Sequence, residues 1–156
     1  GKFSNPSKQD IENQLSLYVD DNLKLCVDNI NKNDFNIAYS NSKTKTTINK
    51  GEVKFLIDNL VSISKDGKST KLELKNSPVM QNSKLFEILE VANYITDSHK
   101  DDPDMICINC IASMAEERSL YVDMVNFDAS STLFIISENV TSATPYNFEF
   151  LNKYSQ

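Results

Sequence analysis

Residues 60–74 read LVSISKDGKSTKLEL, and their reading decides what kind of fold the chain can form. Val61 and Ile63 alternate with polar residues, Asp66-Gly67 interrupts, and Leu72 and Leu74 resume the alternation. A period of two puts every second side chain on one face of a strand. Asp-Gly between two such runs predicts a two-residue type I′ turn, because both central residues need φ > 0. A loop of that length pairs Lys65 with Lys68 and sets Val61 opposite Leu72 on one face.

Upstream, residues 35–40 (Phe35, Ile37, Tyr39) predict a short strand. Residues 44–57 hold Thr44, Thr46, Thr47, Ile48, Val53, Phe55 and Ile57, and predict one or two strands with a turn at Asn49-Lys50-Gly51. Nearer the start, Ser7 followed by Asp10 resembles a capping box. Ile11, Leu15, Tyr18, Cys26 and Ile30 then fall at roughly helical spacing. The same stretch also alternates, as Leu15, Leu17, Val19 and then Leu23, Leu25, Val27 around Asp20-Asp21-Asn22, which would be a hairpin. The cap and the scarcity of glycine favour a helix over about 8–31.

Downstream, Asn82 or Ser83 caps a second predicted helix, about 84–97. Its apolar stripe is Leu85, Ile88, Leu89, Ala92 and Ile95, widened by Phe86 and Val91. Asp97 to Asp104 read as a polar loop. Strands are expected at 105–112, 119–127 and 132–137, with Met114 to Arg118 as a turn or short helix. Residues 145–154 carry Phe148, Leu151 and Tyr154 at helical spacing, which suggests a final docking helix or turn. The predicted class is α+β: an antiparallel sheet of about five to seven strands, with an N-terminal helix and a central helix packed on it. In element order this outline resembles the PAS-like and profilin/roadblock-like domains, in which a helix interrupts a five-stranded antiparallel sheet. An outline of this kind carries no function with it.

A chain of 156 residues, 40% apolar, fits a single globular domain spanning 1–156. Three glycines and four prolines argue for order through most of it. The net charge is −6, and Arg118 is the only arginine, which argues against nucleic acid as a partner. Residues 43–84 hold nine lysines against four acids, a local excess of +5 that leaves −11 elsewhere. That segment reads as a lysine-fringed sheet or as a docking face for an acidic partner. No run of 18 apolar residues exists to form a transmembrane segment. No signal peptide is visible, and a start at Gly1 fits a whole cytosolic protein or a domain excised from a longer one. A cytoplasmic location is slightly favoured, and an extracytoplasmic one stays open.

Chemical motifs are few. Cys107-Ile108-Asn109-Cys110 has the spacing of a redox pair. On the strand expected at 105–112, however, residues three apart point to opposite faces, so buried structural cysteines are expected. His99 among Asp97, Asp101, Asp102 and Asp104 suggests either a solvated loop or a divalent-cation loop; the calcium-loop spacing and its glycine are absent. Glu116-Glu117 beside Arg118 reads as a solvated turn, and Asn139-Val140-Thr141 fits a glycosylation sequon. There is no phosphate loop and no nucleophile elbow.

The expectation is therefore a non-enzymatic protein-interaction or regulatory domain that binds another protein through an acidic or aromatic-rich surface. Tyr146, Phe148, Phe150 and Tyr154 are the interface candidates. A second reading is an extracytoplasmic ligand-sensing domain of a membrane receptor, with a small amphipathic ligand between helix 84–97 and the sheet. A third is an enzyme of an unrecognised family. No catalytic residue, cofactor or metal ligand is expected.

Overall fold

The computed structural model describes residues 6–29, 35–101, 106–128, 130–138 and 146–153, with the side chains of 99–101 left out. The fold is α+β, and the chain forms two compact units, Gly1–Ser83 and Lys84–Gln156. The strands before and after residue 84 lie in separate antiparallel sheets, where the sequence suggested one.

In the first unit, helix α1 spans Lys8–Asp28 and begins at the expected capping box. The Ser7 hydroxyl accepts from the Asp10 amide at 3.1 Å, and the Asp10 carboxylate accepts from the Ser7 amide at 2.9 Å. These Ser7 hydrogen bonds hold the Asp10 carboxyl below its ordinary range. Four strands follow: β1 (Asn36–Tyr39), β2 (Lys43–Asn49), β3 (Glu52–Lys65) and β4 (Lys68–Asn82). The β3–β4 turn has the predicted form, with Asp66 at φ 49° and Gly67 at φ 75°. Its register is also as predicted, Lys65 opposite Lys68 and Val61 opposite Leu72.

Strand β3 is the axis of this sheet. It pairs along its whole length with β4 on one edge, and with β2 and then β1 end to end on the other. Strands preceding residue 84 thus use both edges of β3, and among the described residues the later strands pair only with one another. The pairing of β3 and β4 runs well past the predicted hairpin, across a register shift at Ile57/Asn59. There β4 carries one extra residue; Asn76 takes φ 46°, and the Asp58 carboxylate accepts from its amide. The bulge flips the parity of β4, so Leu72 and Leu74 before it and Val79 after it stay on one face. That face continues through Val53, Phe55 and Val61 of β3 and Ile48 of β2. Lys43, Lys45, Lys54 and Lys71, four of the nine lysines of the basic stretch, occupy the opposite face.

Helix α1 meets β2 through polar groups. Glu12 is the one buried residue of α1 among those described. The amides of Ile48, Thr46 and Thr44 point away from β3 and donate in turn to the Glu12 carboxylate (2.9 Å), the Ser16 hydroxyl (3.0 Å) and the Asp20 carboxylate (3.3 Å). Further bonds join Ser16 Oγ to Thr46 Oγ1 at 2.8 Å and Thr44 Oγ1 to Asp20 Oδ1 at 2.6 Å. Every second amide of the strand finds every fourth side chain of the helix, and the open edge of β2 is closed.

The second unit holds helix α2 (Leu85–Asp101), helix α3 (Ile108–Glu117) and strands β5 (Leu120–Asp128), β6 (Ser131–Glu138) and β7 (Asn147–Lys153), paired β5-β6-β7. Its core gathers Ile88, Val91, Ala92 and Ile95 of α2, Ile111 and Ala115 of α3, and Leu120, Phe134 and Ile136 of the sheet. Three expectations are corrected here. Helix α2 runs on through 98–101, where a polar loop was expected, since no residue before Pro103 stops it. Helix α3 replaces the strand expected at 105–112, because Ile111 and Ala115, four apart, bury on the core. Strand β7 replaces the C-terminal helix, because Phe148 and Phe150 lie opposite Ile136 and Phe134 and share their face. His99 lies in α2, and Asp102 and Asp104 lie outside the described residues.

Two outcomes follow. Replacing Glu12 by Ala strands the Ile48 amide and should destabilise the first unit by about 1–3 kcal/mol. Glu12→Gln, which keeps an acceptor, should cost clearly less. Residue-resolved hydrogen exchange reads this directly: the Ile48 amide should be protected in the parent chain and exchange faster in Glu12→Ala. Unchanged exchange would dismiss the clamp. Phe134→Ala should cost the second unit about 3–5 kcal/mol. Leu151→Ala, on the outer face of the same sheet, should stay within about 0.5 kcal/mol in urea unfolding monitored on that unit.

Candidate functional site

The C-terminal unit presents an open groove between α3 and β5. Helix α3 starts at Cys107, whose sulfur accepts from the Cys110 amide at 3.2 Å in the role of an N-cap. It ends at Arg118, whose guanidinium donates to the Met114 carbonyl at 3.1 Å and pairs with Glu90 of α2 at 3.1 Å. Ser119 takes the left-handed conformation, φ 54°, and turns the chain from α3 into β5. The turn leaves the helix alongside the strand it has just entered.

Ile108, Ile111, Ala112 and Ala115 form one wall of the groove, and Leu120, Val122 and Met124 form the other. Its volume is about 490 Å³, and Glu116 is the charged residue in its lining. Strand β5 is an edge: it pairs with β6, and no described strand pairs with its other side. From Asp123 to Asp128 its residues are exposed on both faces. Met124, Val125 and Phe127 remain 39%, 49% and 67% accessible. An apolar strand with an unpaired edge is a template for another strand, and a chain that keeps one must cover it, twist it or use it. The unit as a whole is acidic by sequence. Residues 84–156 hold four basic and twelve acidic side chains, a net of −8, against +2 for residues 1–83.

The residues singled out from the sequence are dispersed. Tyr146 is half exposed just before β7, and burial together with the Glu138 carboxylate pushes its phenol above the ordinary range. Phe148 and Phe150 are half-buried against the core, Phe150 stacked on Phe134 at 5.3 Å. Tyr154 and the sequon at Asn139 lie outside the described residues. Arg118 is engaged with Glu90 and with Glu117, at 3.7 Å.

The cysteines need the largest correction. Cys107 and Cys110 are joined in a disulfide, and all three cysteines are exposed rather than buried. On a helix, residues three apart share a side, so the objection drawn from a strand lapses with the strand. No group of three or more His, Cys, Asp or Glu could hold a metal among the described residues. Between α2 and the sheet, where a ligand pocket was envisaged, Ile88, Val91, Ile95, Phe134 and Ile136 are fully buried and fill the space.

Sequence reasoning missed the groove because it missed α3. The signal present was Ile108, Ile111, Ala112 and Ala115 at spacings of three and four. No described helix is long and apolar enough to cross a membrane. No family model, curated protein or solved structure matches the chain.

Proposed function

We propose that this chain is a protein-interaction domain that takes up an extended segment of another protein along the free edge of β5. The observation that carries this reading is the exposure of β5 from Asp123 to Asp128 on both faces, beside an apolar groove. A bound segment would add main-chain hydrogen bonds to the open edge and drop alternate side chains between α3 and β5. Complementary charge gives the partner its sign: against a unit of net charge −8, with Glu116 in the groove, a basic segment associates fastest and with least competition from acidic ones.

The reading keeps the expectation of a protein partner and moves its location, from the C-terminal aromatics to α3 and β5. A ligand held between α2 and the sheet has no comparable support, since that interior is filled by its own side chains.

An array of 12-residue peptides, varied in charge and apolar spacing, tests it. Peptides of alternating apolar and basic residues should bind best. Methylating alternate backbone nitrogens of the best binder should weaken it by about tenfold or more, because those amides supply the strand pairing. Met124→Asp should weaken it similarly, and Leu151→Asp, on the outer face, should not. Binding indifferent to both methylation and Met124→Asp would remove β5 as the site.

A further inference from the structure

We propose that Cys107 and Cys110 form a thiol–disulfide exchange site, with a protein dithiol as its substrate. The inference is independent of the β5 edge and rests on where the two sulfurs sit.

Both cysteines occupy the exposed first turn of the ten-residue helix α3, Cys107 as its N-cap and Cys110 three residues on. The Cys107 sulfur already accepts from the Cys110 amide at 3.2 Å. A thiolate at Cys107 would accept the same bond with full charge, at the positive end of the helix field. Cys107 is therefore the sulfur better held as a thiolate, and it leaves readily from a mixed disulfide, which speeds exchange. A purely structural role explains the pair poorly. The bridge spans a sequence separation of three, the kind of short loop in which a disulfide removes least entropy from the unfolded chain. It also sits at an accessible position, where reductants reach it, and not inside the core.

In the forward direction a substrate thiolate attacks Cys107 Sγ. The Cys107–Cys110 bond breaks, Cys110 departs as a thiolate and takes up a proton, and a mixed disulfide joins the substrate to Cys107. The second substrate thiolate attacks its own neighbouring sulfur in that mixed disulfide, and Cys107 departs. Two electrons have passed from the substrate dithiol to the cysteine pair; of the two protons its thiols gave up, one is now on Cys110 and the other is in solvent, Cys107 remaining a thiolate. The substrate holds a new disulfide, and the reverse sequence returns the pair to its oxidised form.

The full chain can be tested with glutathione as the probe. In buffers of varied ratio of reduced to oxidised glutathione, the pair should open and close reversibly, while far-ultraviolet circular dichroism stays constant. In the fully reduced chain, iodoacetamide at neutral pH should modify Cys107 at least about tenfold faster than Cys26, the exposed free cysteine of α1. Peptide mass spectrometry reads both sites in one sample and needs no variant. Cys110→Ser should then accumulate a mixed disulfide with glutathione at Cys107, and Cys107→Ser should accumulate far less at Cys110. A bridge that yields only when the chain unfolds would overturn the proposal. So would equal alkylation of Cys107 and Cys26.

Discussion

The first unit depends on a coincidence of two repeat distances. Four residues of α-helix rise about 6 Å, and two residues of strand advance about 6.6 Å. Glu12, Ser16 and Asp20 therefore keep step with the amides of Ile48, Thr46 and Thr44 over three successive bonds. The shortest of the three side chains sits in the middle, and the longer, more adjustable carboxylates take up the residual mismatch at either end. Without this row, β2 would bury donors with no acceptor, at a cost comparable to its gain from burying Ile48 and Thr46. The sheet could then keep its apolar face or its edge, but not both. The price falls on α1. Its inward stripe is polar, and Leu17, Tyr18 and Leu25 are left exposed.

The second unit solves a different problem. Its helices lie on one face of a three-stranded sheet, and they bury that face well enough to leave Phe134 and Ile136 without accessible surface. Helices placed on a face do nothing for the edges. Strand β5 keeps an open edge and carries Met124, Val125 and Phe127 along it. The other edge strand, β7, has Asn147, Glu149 and Lys153 among its exposed residues, which are the kind that discourage pairing. Both strands expose polar residues, Asp123, Asn126 and Asp128 on β5 as well, but β5 adds three exposed apolar side chains where β7 adds Leu151.

How far the sequence can be read follows from which force decides each element. Local chemistry decided the Asp66-Gly67 hairpin and the Ser7 cap, and both stand where the residues put them. The α2 stripe was legible because its apolar residues face one core. Helix α1 was ambiguous for a physical reason: its one buried residue is Glu12, and its apolar residues Ile11, Leu15, Val19 and Leu23 are only half-buried, so hydrophobic periodicity gave a weak signal. The run from Met105 to Ala112 is apolar except for Asn109 and supports either period. What settles it is Ala115, outside the run, which buries together with Ile111. At the C-terminus the spacing of Phe148, Leu151 and Tyr154 competed with the alternation of Phe148 and Phe150. Register with β6 decides for the alternation, and no local signal carries that information. The groove was illegible in the same degree as α3, and the division into two sheets rests on pairings that no local signal carries.

The anchoring of α3 bears on what its first turn can do. Ile111 and Ala115 fix the middle and end of the helix in the core, and Arg118 ties its C-terminus to Glu90 of α2. None of these contacts involves Cys107 or Cys110. A reactive pair that also held its helix in place would lose its geometry each time it opened. Here the chemistry lies on the exposed turn and the stability lies beyond it. The N-terminal amides that would hold a thiolate thus stay in position whether the sulfurs are joined or apart. A similar separation holds along β5, where Leu120 and Val122 meet the core and Asp123 to Asp128 are left exposed. In this unit the groups with chemical or pairing potential are those that the core does not require.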